Sequence, residues 1–182
     1  MILNPESEVL GTLAETVLLA ARTAPKARGA DDIVTALVEK EDVEVLASTM
    51  ERLADEKGEG FSFFRRDAGN LRSAGATILI GVKADSASGL NCGACGFATC
   101  TEMLSAQKIK GDFKGPNCML KYADLGIAVG AAAAKAKDLC LDNRVMYSVG
   151  VAARVSGLLD SDVVFGIPLS ATGKNPFFDR KQ

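Results

Sequence analysis

Histidine and tryptophan are absent from the 182 residues of this chain, and only two tyrosines are present. Without histidine, the protein has no imidazole for general acid–base catalysis, for a Ser-His or Cys-His nucleophile pair, or for metal binding. Chemistry near neutral pH must therefore come from cysteine, carboxylates, Lys, Arg, Tyr or a bound cofactor. The missing imidazole thus favours cofactor chemistry.

Strong charge of one sign and long apolar runs are lacking as well. The net charge is −2, with 21 basic and 23 acidic residues mixed along the sequence, and no basic stripe indicates a nucleic-acid partner. The longest apolar stretch, 125–134, consists mostly of Ala and Gly and is too short to span a bilayer. The first eight residues contain no basic region followed by an apolar core. We therefore expect no secretory signal, no membrane span and a cytoplasmic protein.

The cysteines, by contrast, are crowded together. Four of the five follow the spacing Cys92-x2-Cys95-x4-Cys100-x17-Cys118. Three closely spaced thiols with a fourth further along the chain are typical of a cubane iron–sulfur cluster. Gly93 and Gly96 directly follow two of the cysteines, and glycine allows tight turns that bring backbone N–H groups towards cluster sulfurs. The pattern predicts a [4Fe-4S] site with these four cysteines as its ligands.

Three other interpretations of the cysteines stay open at this point. A structural zinc site also uses four thiols, although these usually arrive as two short-spaced pairs, and Cys118 has no nearby partner. Disulfides would require an oxidising compartment. Unliganded, buried cysteines are a third possibility, and we expect Cys140 to be such a buried side chain. Cys140 would be a substitute ligand if the fourth position were not occupied by Cys118.

Hydrophobic periodicity predicts an α/β (α+β) protein with more helices than strands. The predicted helices cover 7–22, 42–57, 101–108, 119–139 and 143–156, the last capped by Asp142, and the predicted strands cover 33–38, 76–82 and 162–167. Residues 76–82 are apolar throughout, as in a strand buried on both faces, and the polar loop 83–89 leads from them into the cysteines. We expect one domain of residues 1–182 in which residues 88–120 form the cluster-binding insertion.

Several segments together resemble the uncharacterised microbial ferredoxin-domain proteins. They are Ala20-Ala-Arg-Thr-Ala-Pro25, Phe64-Arg-Arg-Asp67, Gly89-Leu-Asn-Cys-Gly-Ala-Cys-Gly-Phe97, Asp124-Leu-Gly-Ile-Ala128, Asp142-Asn-Arg-Val-Met-Tyr-Ser-Val-Gly150 and Gly166-Ile-Pro-Leu-Ser170. The resemblance covers nearly the whole chain, and the cysteine run is its most specific part. It implies a [4Fe-4S] module similar to that of electron-transfer subunits, without implying a particular reaction.

The order of elements also resembles the nitroreductase fold, in which a mixed sheet is flanked by helices. This second resemblance implies a homodimer with FMN at the subunit interface and basic residues around the FMN phosphate. Lys26 stands where a Ser usually follows Pro25. The basic residues that could bind a phosphate are Arg22, Lys26, Arg28 and Lys174, which could equally form an exposed basic edge.

Two functions follow from these observations. The first is a redox protein whose [4Fe-4S] cluster transfers one electron at a time to an unknown partner. If FMN is bound as well, the protein would be a small oxidoreductase. In that protein Phe97 would shield the cluster from water, and Tyr147 is the candidate side-chain proton donor. The alternative is a non-catalytic dimer in which an iron–sulfur or zinc site has a structural or sensing role.

Overall fold

The computed structural model describes residue 3 and residues 5–178, and this part of the chain contains six α-helices and six strands. The helices are α1 (Leu10–Thr23), α2 (Lys40–Lys57), α3 (Phe63–Arg72), α4 (Cys100–Ser105), α5 (Met119–Asp138) and α6 (Tyr147–Val155). The strands are β1 (Ile33–Leu37), β2 (Ala76–Val82), β3 (Ile109–Lys110), β4 (Lys114–Gly115), β5 (Asp142–Asn143) and β6 (Val163–Ser170). Among the described helices, none is both long enough and apolar enough to cross a membrane.

Four strands form the central sheet in the order β1–β2–β6–β5. The longest pairing joins β2 to β6, from Ala76 opposite Leu169 to Val82 opposite Val163. Every pair of neighbouring strands in this described sheet is antiparallel, whereas the sequence analysis predicted a mixed sheet. Strands β3 and β4 form a separate short hairpin between α4 and α5.

Helices cover both faces of the sheet, as the sequence predicted. Helices α1 and α5 pack on one face against Ile78 and Ile80, whereas α2, α3 and α6 pack on the other face against Leu79. Neighbouring side chains of a strand point to opposite faces, so the apolar run of β2 contributes to both halves of the core. All side chains of β2 from residue 77 onwards are buried, which confirms the predicted central strand.

Helix α3 and the start of α6 differ from the sequence-based expectation, and the short strands β3, β4 and β5 were not predicted either. Helix α3 was not predicted, because it has only ten residues, which include the charged pair Arg65 and Arg66, and only four of the ten are buried. The predicted helix 143–156 begins only at Tyr147, and Asp142 is not its cap. Instead, Asp142 lies in β5 opposite Ser170, and its carboxylate accepts a hydrogen bond from the Asn175 side chain at 3.0 Å.

Helix α6 and strand β6 approach each other so closely that one position of the helix must be glycine. A Cβ atom on Gly150 would lie 1.8 Å from the carbonyl oxygen of Val164, far inside van der Waals contact. The obstacle is backbone in the centre of the sheet, which cannot move aside as a flexible side chain would. The contact therefore fixes the distance between α6 and the sheet.

We expect Gly150→Ala to lower the free energy of unfolding by about 3 kcal/mol or more, because the added methyl group overlaps with the Val164 backbone. Gly69→Ala is the matched control, since a Cβ on this exposed residue of α3 meets no atom within 4 Å. That control should raise the free energy of unfolding by about 0.5–1 kcal/mol through helix propensity. Urea unfolding followed by circular dichroism measures both, and equal stabilities for the two variants would contradict the described contact.

Candidate metal centre

The cysteine segment starts where the central strand β2 ends, and Asp162 holds it there. The backbone N–H of Asp162 donates to the Val82 carbonyl at 3.0 Å, at the end of β2. The buried Asp162 carboxylate accepts hydrogen bonds from the Ala84 backbone N–H at 2.8 Å and from the Lys108 ammonium at 3.3 Å. Its carbonyl accepts from the Lys114 N–H at 3.1 Å. One residue thus joins the sheet to the loop that precedes the cysteines and to the hairpin that follows α4.

Two glycines shape the turn that carries the first cysteines. Gly93 and Gly96 have φ angles of 74° and 87°, and the Gly96 N–H donates to the Gly93 carbonyl at 2.9 Å. A Cβ atom at either glycine would meet no other atom within 4 Å. The left-handed backbone, and not lack of space, therefore requires glycine here. The result is a tight turn around Cys95.

Asn91 and Thr99 close this turn at its far end, where Cys100 begins α4. The Asn91 side-chain oxygen accepts a hydrogen bond from the Cys100 N–H at 2.8 Å, so the two ends of the three-cysteine run lie together. Thr99 caps α4 in a reciprocal pair with Glu102, in which each side chain accepts the other residue's backbone N–H. Cys92 is exposed, whereas Cys95 and Cys100 are half-buried. Three of the four candidate ligands therefore belong to one closed loop.

Cys118 lies in a different environment, buried at the N-terminus of α5. Burial raises the pKa of its thiol, but hydrogen bonds from the backbone N–H groups of Ser88 and Leu120 lower it. The backbone N–H of Lys121 lowers it further, and the net pKa of Cys118 is below its ordinary value. Thiolate is the form that binds metals, so these donors suit a ligand. Ser88 belongs to the stem of the cysteine loop and so joins the loop to the fourth thiol.

The four cysteines are free thiols and no disulfide joins them. Across residue 3 and residues 5–178, however, no three Cys, Asp or Glu side chains are arranged so that they could hold a metal ion. In its chemistry the donor set fits an iron–sulfur cluster, because it offers four thiols, one of them surrounded by N–H donors. The loop thiols and Cys118 are linked through Ser88 but are not gathered around one point.

Cys140 is exposed, which corrects the expectation of a buried side chain. It follows the C-terminus of α5 with a φ of 60°, a left-handed conformation that turns its side chain out of the helix stack. Cys118 precedes the N-terminus of the same 20-residue helix. At 1.5 Å per residue the two thiols are about 30 Å apart. Cys140 therefore does not replace Cys118 in this site.

Tyr147, the candidate proton donor, binds Asp112 in the hairpin between the cysteines. Its hydroxyl donates to the Asp112 carboxylate at 2.5 Å, and the Lys57 ammonium donates to the same carboxylate at 2.6 Å. Burial and the hydrogen bond to Asp112 raise the pKa of Tyr147 well above its ordinary value. Burial raises the pKa of Asp112, but the hydrogen bonds from Lys57 and Tyr147 lower it overall. The tyrosine thus stays protonated and anchors the hairpin to α6.

The basic residues considered for a phosphate do not form a free cluster. Arg22 donates to Asp31 at 2.8 Å and to the Ile33 carbonyl at 2.6 Å. The Lys26 side chain is 7% exposed, and its ammonium donates to the carbonyls of Arg22 and Ala24. This also means that Lys26 is not part of an exposed edge.

Arg28, the third of these residues, donates to the Ser88 carbonyl at 2.8 Å. With Arg22 and Lys26 also bonded within the chain, these three side chains form no free basic cluster for a phosphate. Lys174, the fourth, lies in the segment that follows β6.

Sequence reasoning missed the residues that organise the site. Ser88 and Asn91 lie beside the cysteine motif, so their position next to it was the available signal. For Asp162 and Asp112 the sequence contained no such signal, because their partners Ala84 and Tyr147 are 78 and 35 residues away in the chain. Contacts over such separations follow from the fold and not from local pattern.

Comparison with solved structures identifies the fold. Nitroreductase A from Vibrio parahaemolyticus matches 93% of this chain with a TM-score of 0.56 and 14% identity. The NADPH:FMN oxidoreductase from Vibrio harveyi, solved in complex with NAD+, matches 93% with a TM-score of 0.56 and 15% identity. A nitroreductase with bound FMN from Desulfitobacterium hafniense matches 90% of this chain and 78% of its own, with a TM-score of 0.58 and 16% identity. The present chain spans only 61% and 63% of the two Vibrio proteins.

Sequence comparison identifies the family. Residues 114–180 match the family described as "Uncharacterized protein containing a ferredoxin domain". An uncharacterised protein from Archaeoglobus fulgidus is 46% identical over 160 residues, which cover 88% of this chain and 85% of that protein. The chain therefore belongs to the family of uncharacterised proteins that contain a ferredoxin domain, and it has the nitroreductase fold.

Proposed function

We propose that this protein is a redox protein that transfers single electrons through a [4Fe-4S] cluster held by Cys92, Cys95, Cys100 and Cys118. The observation that carries the proposal is the closed loop that presents three of the four cysteines. This closed three-cysteine loop is anchored to the end of the central strand, and Cys118 lies buried at the N-terminus of α5. Membership of a family with a ferredoxin domain supports the same chemistry.

When bound, the cluster supplies one-electron chemistry, and the surrounding protein sets its potential. Ser88 and the first turn of α5 present N–H groups to the Cys118 sulfur, which stabilises negative charge on that thiolate. Phe97 is half-buried within the cysteine loop and would exclude water from one side of the site. Because Cys118 lies apart from the loop thiols, cluster binding would draw the loop towards the N-terminus of α5.

Cys95→Ser should abolish the cluster, because it removes a ligand from the centre of the closed loop. The measurement is iron and sulfide content together with the visible spectrum of protein purified without oxygen, before and after dithionite. We expect wild type to show a broad brown absorption that bleaches on reduction, and the variant to lose both the colour and the iron. Cys140→Ser is the matched control and should keep them, since Cys140 lies at the opposite end of α5.

The same measurement separates the alternatives. A cluster that dithionite does not reduce would favour a structural or sensing role, as would bound zinc in colourless protein. Colourless wild type that also failed reconstitution with iron and sulfide would refute the redox proposal. A yellow spectrum with two peaks would indicate bound FMN in addition to the cluster. FMN is the second candidate cofactor because the fold is similar to that of a nitroreductase with bound FMN. We place the protein in the cytoplasm, where thiols stay reduced.

We further propose a homodimer that forms through the outer face of α5. Tyr122 and Ile127 are 40% and 45% exposed on this face. Gly126 lies between them in the sequence, and Gly130 lies after them. Between residues 122 and 134 the helix carries one charged side chain, Asp124, and that side chain is buried. An uncharged helix face with small residues suits close packing against the same helix of a second copy.

Gly130→Arg should weaken dimerisation at least about tenfold, because an unpaired guanidinium would be buried in an apolar contact. Light scattering after size exclusion gives the mass of each form. Gly69→Arg is the control with the same substitution, at an exposed helical position where a Cβ also meets no atom within 4 Å. A monomeric wild type, or a dimer that survives Gly130→Arg, would exclude this interface.

A further inference from the structure

Lys121 on α5 carries a buried charge that binds no metal and has no role in the proposed ligand set. Of the charged residues that the structure describes, it is the least exposed, at 2%. It lies in the first turn of α5, three residues after Cys118, and its backbone N–H donates to the Cys118 carbonyl at 3.0 Å. Residues three positions apart lie on the same side of a helix, so α5 carries the ammonium and the Cys118 thiol on one side. A lysine buried to this extent requires a partner.

The partner of this ammonium is the carboxylate of Asp32, which lies just before β1. Lys121 donates a hydrogen bond to it, and the two groups form an ion pair. Their exposures differ, because the side chain of Asp32 is 30% exposed and that of Lys121 is 2% exposed. Water therefore screens the negative charge more effectively than the positive one. Towards the interior of the protein, the pair acts as a partly compensated positive charge.

Asp32 also binds the stem of the cysteine loop, residues 83–88. Its carboxylate accepts a hydrogen bond from the Ser86 hydroxyl at 3.2 Å, and its carbonyl accepts one from the Lys83 N–H at 3.0 Å. Shortly before Asp32 in the chain, the Arg28 guanidinium donates to the Ser88 carbonyl at 2.8 Å. The segment between α1 and β1 thus holds both the stem of the loop and the Lys121 ammonium.

The stem brings the ammonium close to the fourth thiol. Lys121 and Ser88 line the same cavity of about 330 Å³. The backbone N–H of Ser88 is in turn one of the donors that lower the pKa of Cys118. The buried positive charge therefore lies beside a residue that contacts a candidate cluster ligand.

Helix α5 carries one other buried charge, that of Asp124. Its carboxylate accepts the backbone N–H of Ala27 at 2.8 Å, and it lies one turn further along the helix than Lys121. Measured along the axis, Lys121 is about 4.5 Å and Asp124 about 9 Å from Cys118. The positive charge is therefore carried by the turn next to the thiol, and the negative charge by the turn after it.

We propose that the buried ammonium of Lys121 raises the reduction potential of a cluster bound at Cys118, and that Asp32 holds this charge in place and partly compensates it. The inference rests on the proposed function. On reduction the cluster takes up one electron from an external donor, and a nearby cation in a medium of low dielectric constant stabilises the added negative charge. Lys121 gains and loses no proton in this step. It is a positioning residue that acts on the cluster through its charge.

The test is a redox titration of cluster-loaded protein with dithionite and mediator dyes, in which the electron paramagnetic resonance signal of the reduced cluster is followed. Lys121→Gln should lower the equilibrium constant for reduction about tenfold, which is a fall in potential of about 59 mV for one electron. Asp32→Asn should raise the potential, because it leaves the cation without compensation. The double variant removes both charges and should lie between the two single variants. Lys137→Gln, the same substitution at an exposed position in the last turn of α5, should leave the potential unchanged.

The opposite signs separate this role from a purely structural one. If the ion pair only held the fold together, both single variants would lose thermal stability, and their potentials would not move in opposite directions. Equal potentials, or shifts of the same sign, in folded and loaded variants would overturn the proposal. If one single variant fails to load, the other is compared with the double variant, and the sign of that difference decides in the same way. A wild type that binds no cluster would instead refute the proposed function, and this inference with it.

Discussion

The cysteine segment is positioned by one buried carboxylate, that of Asp162. Its side chain and backbone together bond to residues 82, 84, 108 and 114, which lie at the start, middle and end of the excursion from β2 to α5. A buried carboxylate requires such donors, because an unpaired charge in this environment would be strongly unfavourable. The requirement works in both directions: the buried Asp162 carboxylate is satisfied only while the loop and the hairpin are in place, and its side chain and backbone hold them there.

The packing of the rest of the molecule holds Asp162 and its hydrogen-bond partners in place. Helices α1 and α5 cover one face of the sheet and α2, α3 and α6 the other, so β2 is fixed on both sides. The backbone contact between Gly150 and Val164 fixes α6, and α6 in turn holds the hairpin through Tyr147 and Arg154. By contrast, residues 89–96 of the cysteine loop are exposed except for the half-buried Cys95, and exposure is usual for functional loops.

Much of this could be predicted from the sequence, because the relevant signals are local. The apolar run 76–82 predicts a doubly buried strand, and the cysteine spacing with its glycines predicts a tight ligand loop, whose turn the structure contains. What could not be predicted depends on residues distant in the chain. Asp is a residue type that often caps helices, but Asp142 pairs with β6 instead, and this pairing outweighs its preference for a cap position. Cys140 has the apolar character of a core residue, yet the left-handed turn after α5 exposes it.

The exposure of Cys140 has a practical consequence for measuring this protein in solution. With the proposed ligands bound to iron, Cys140 would be the one cysteine left to react with a maleimide or nitroxide label. The label would lie just beyond one end of the 20-residue helix α5, and Cys118 directly precedes its other end. The distance of about 30 Å between the two ends is within the range of pulsed dipolar spectroscopy with a paramagnetic cluster. In a symmetric pair of chains, the label-to-label distance would report the crossing of the two α5 helices independently of mass.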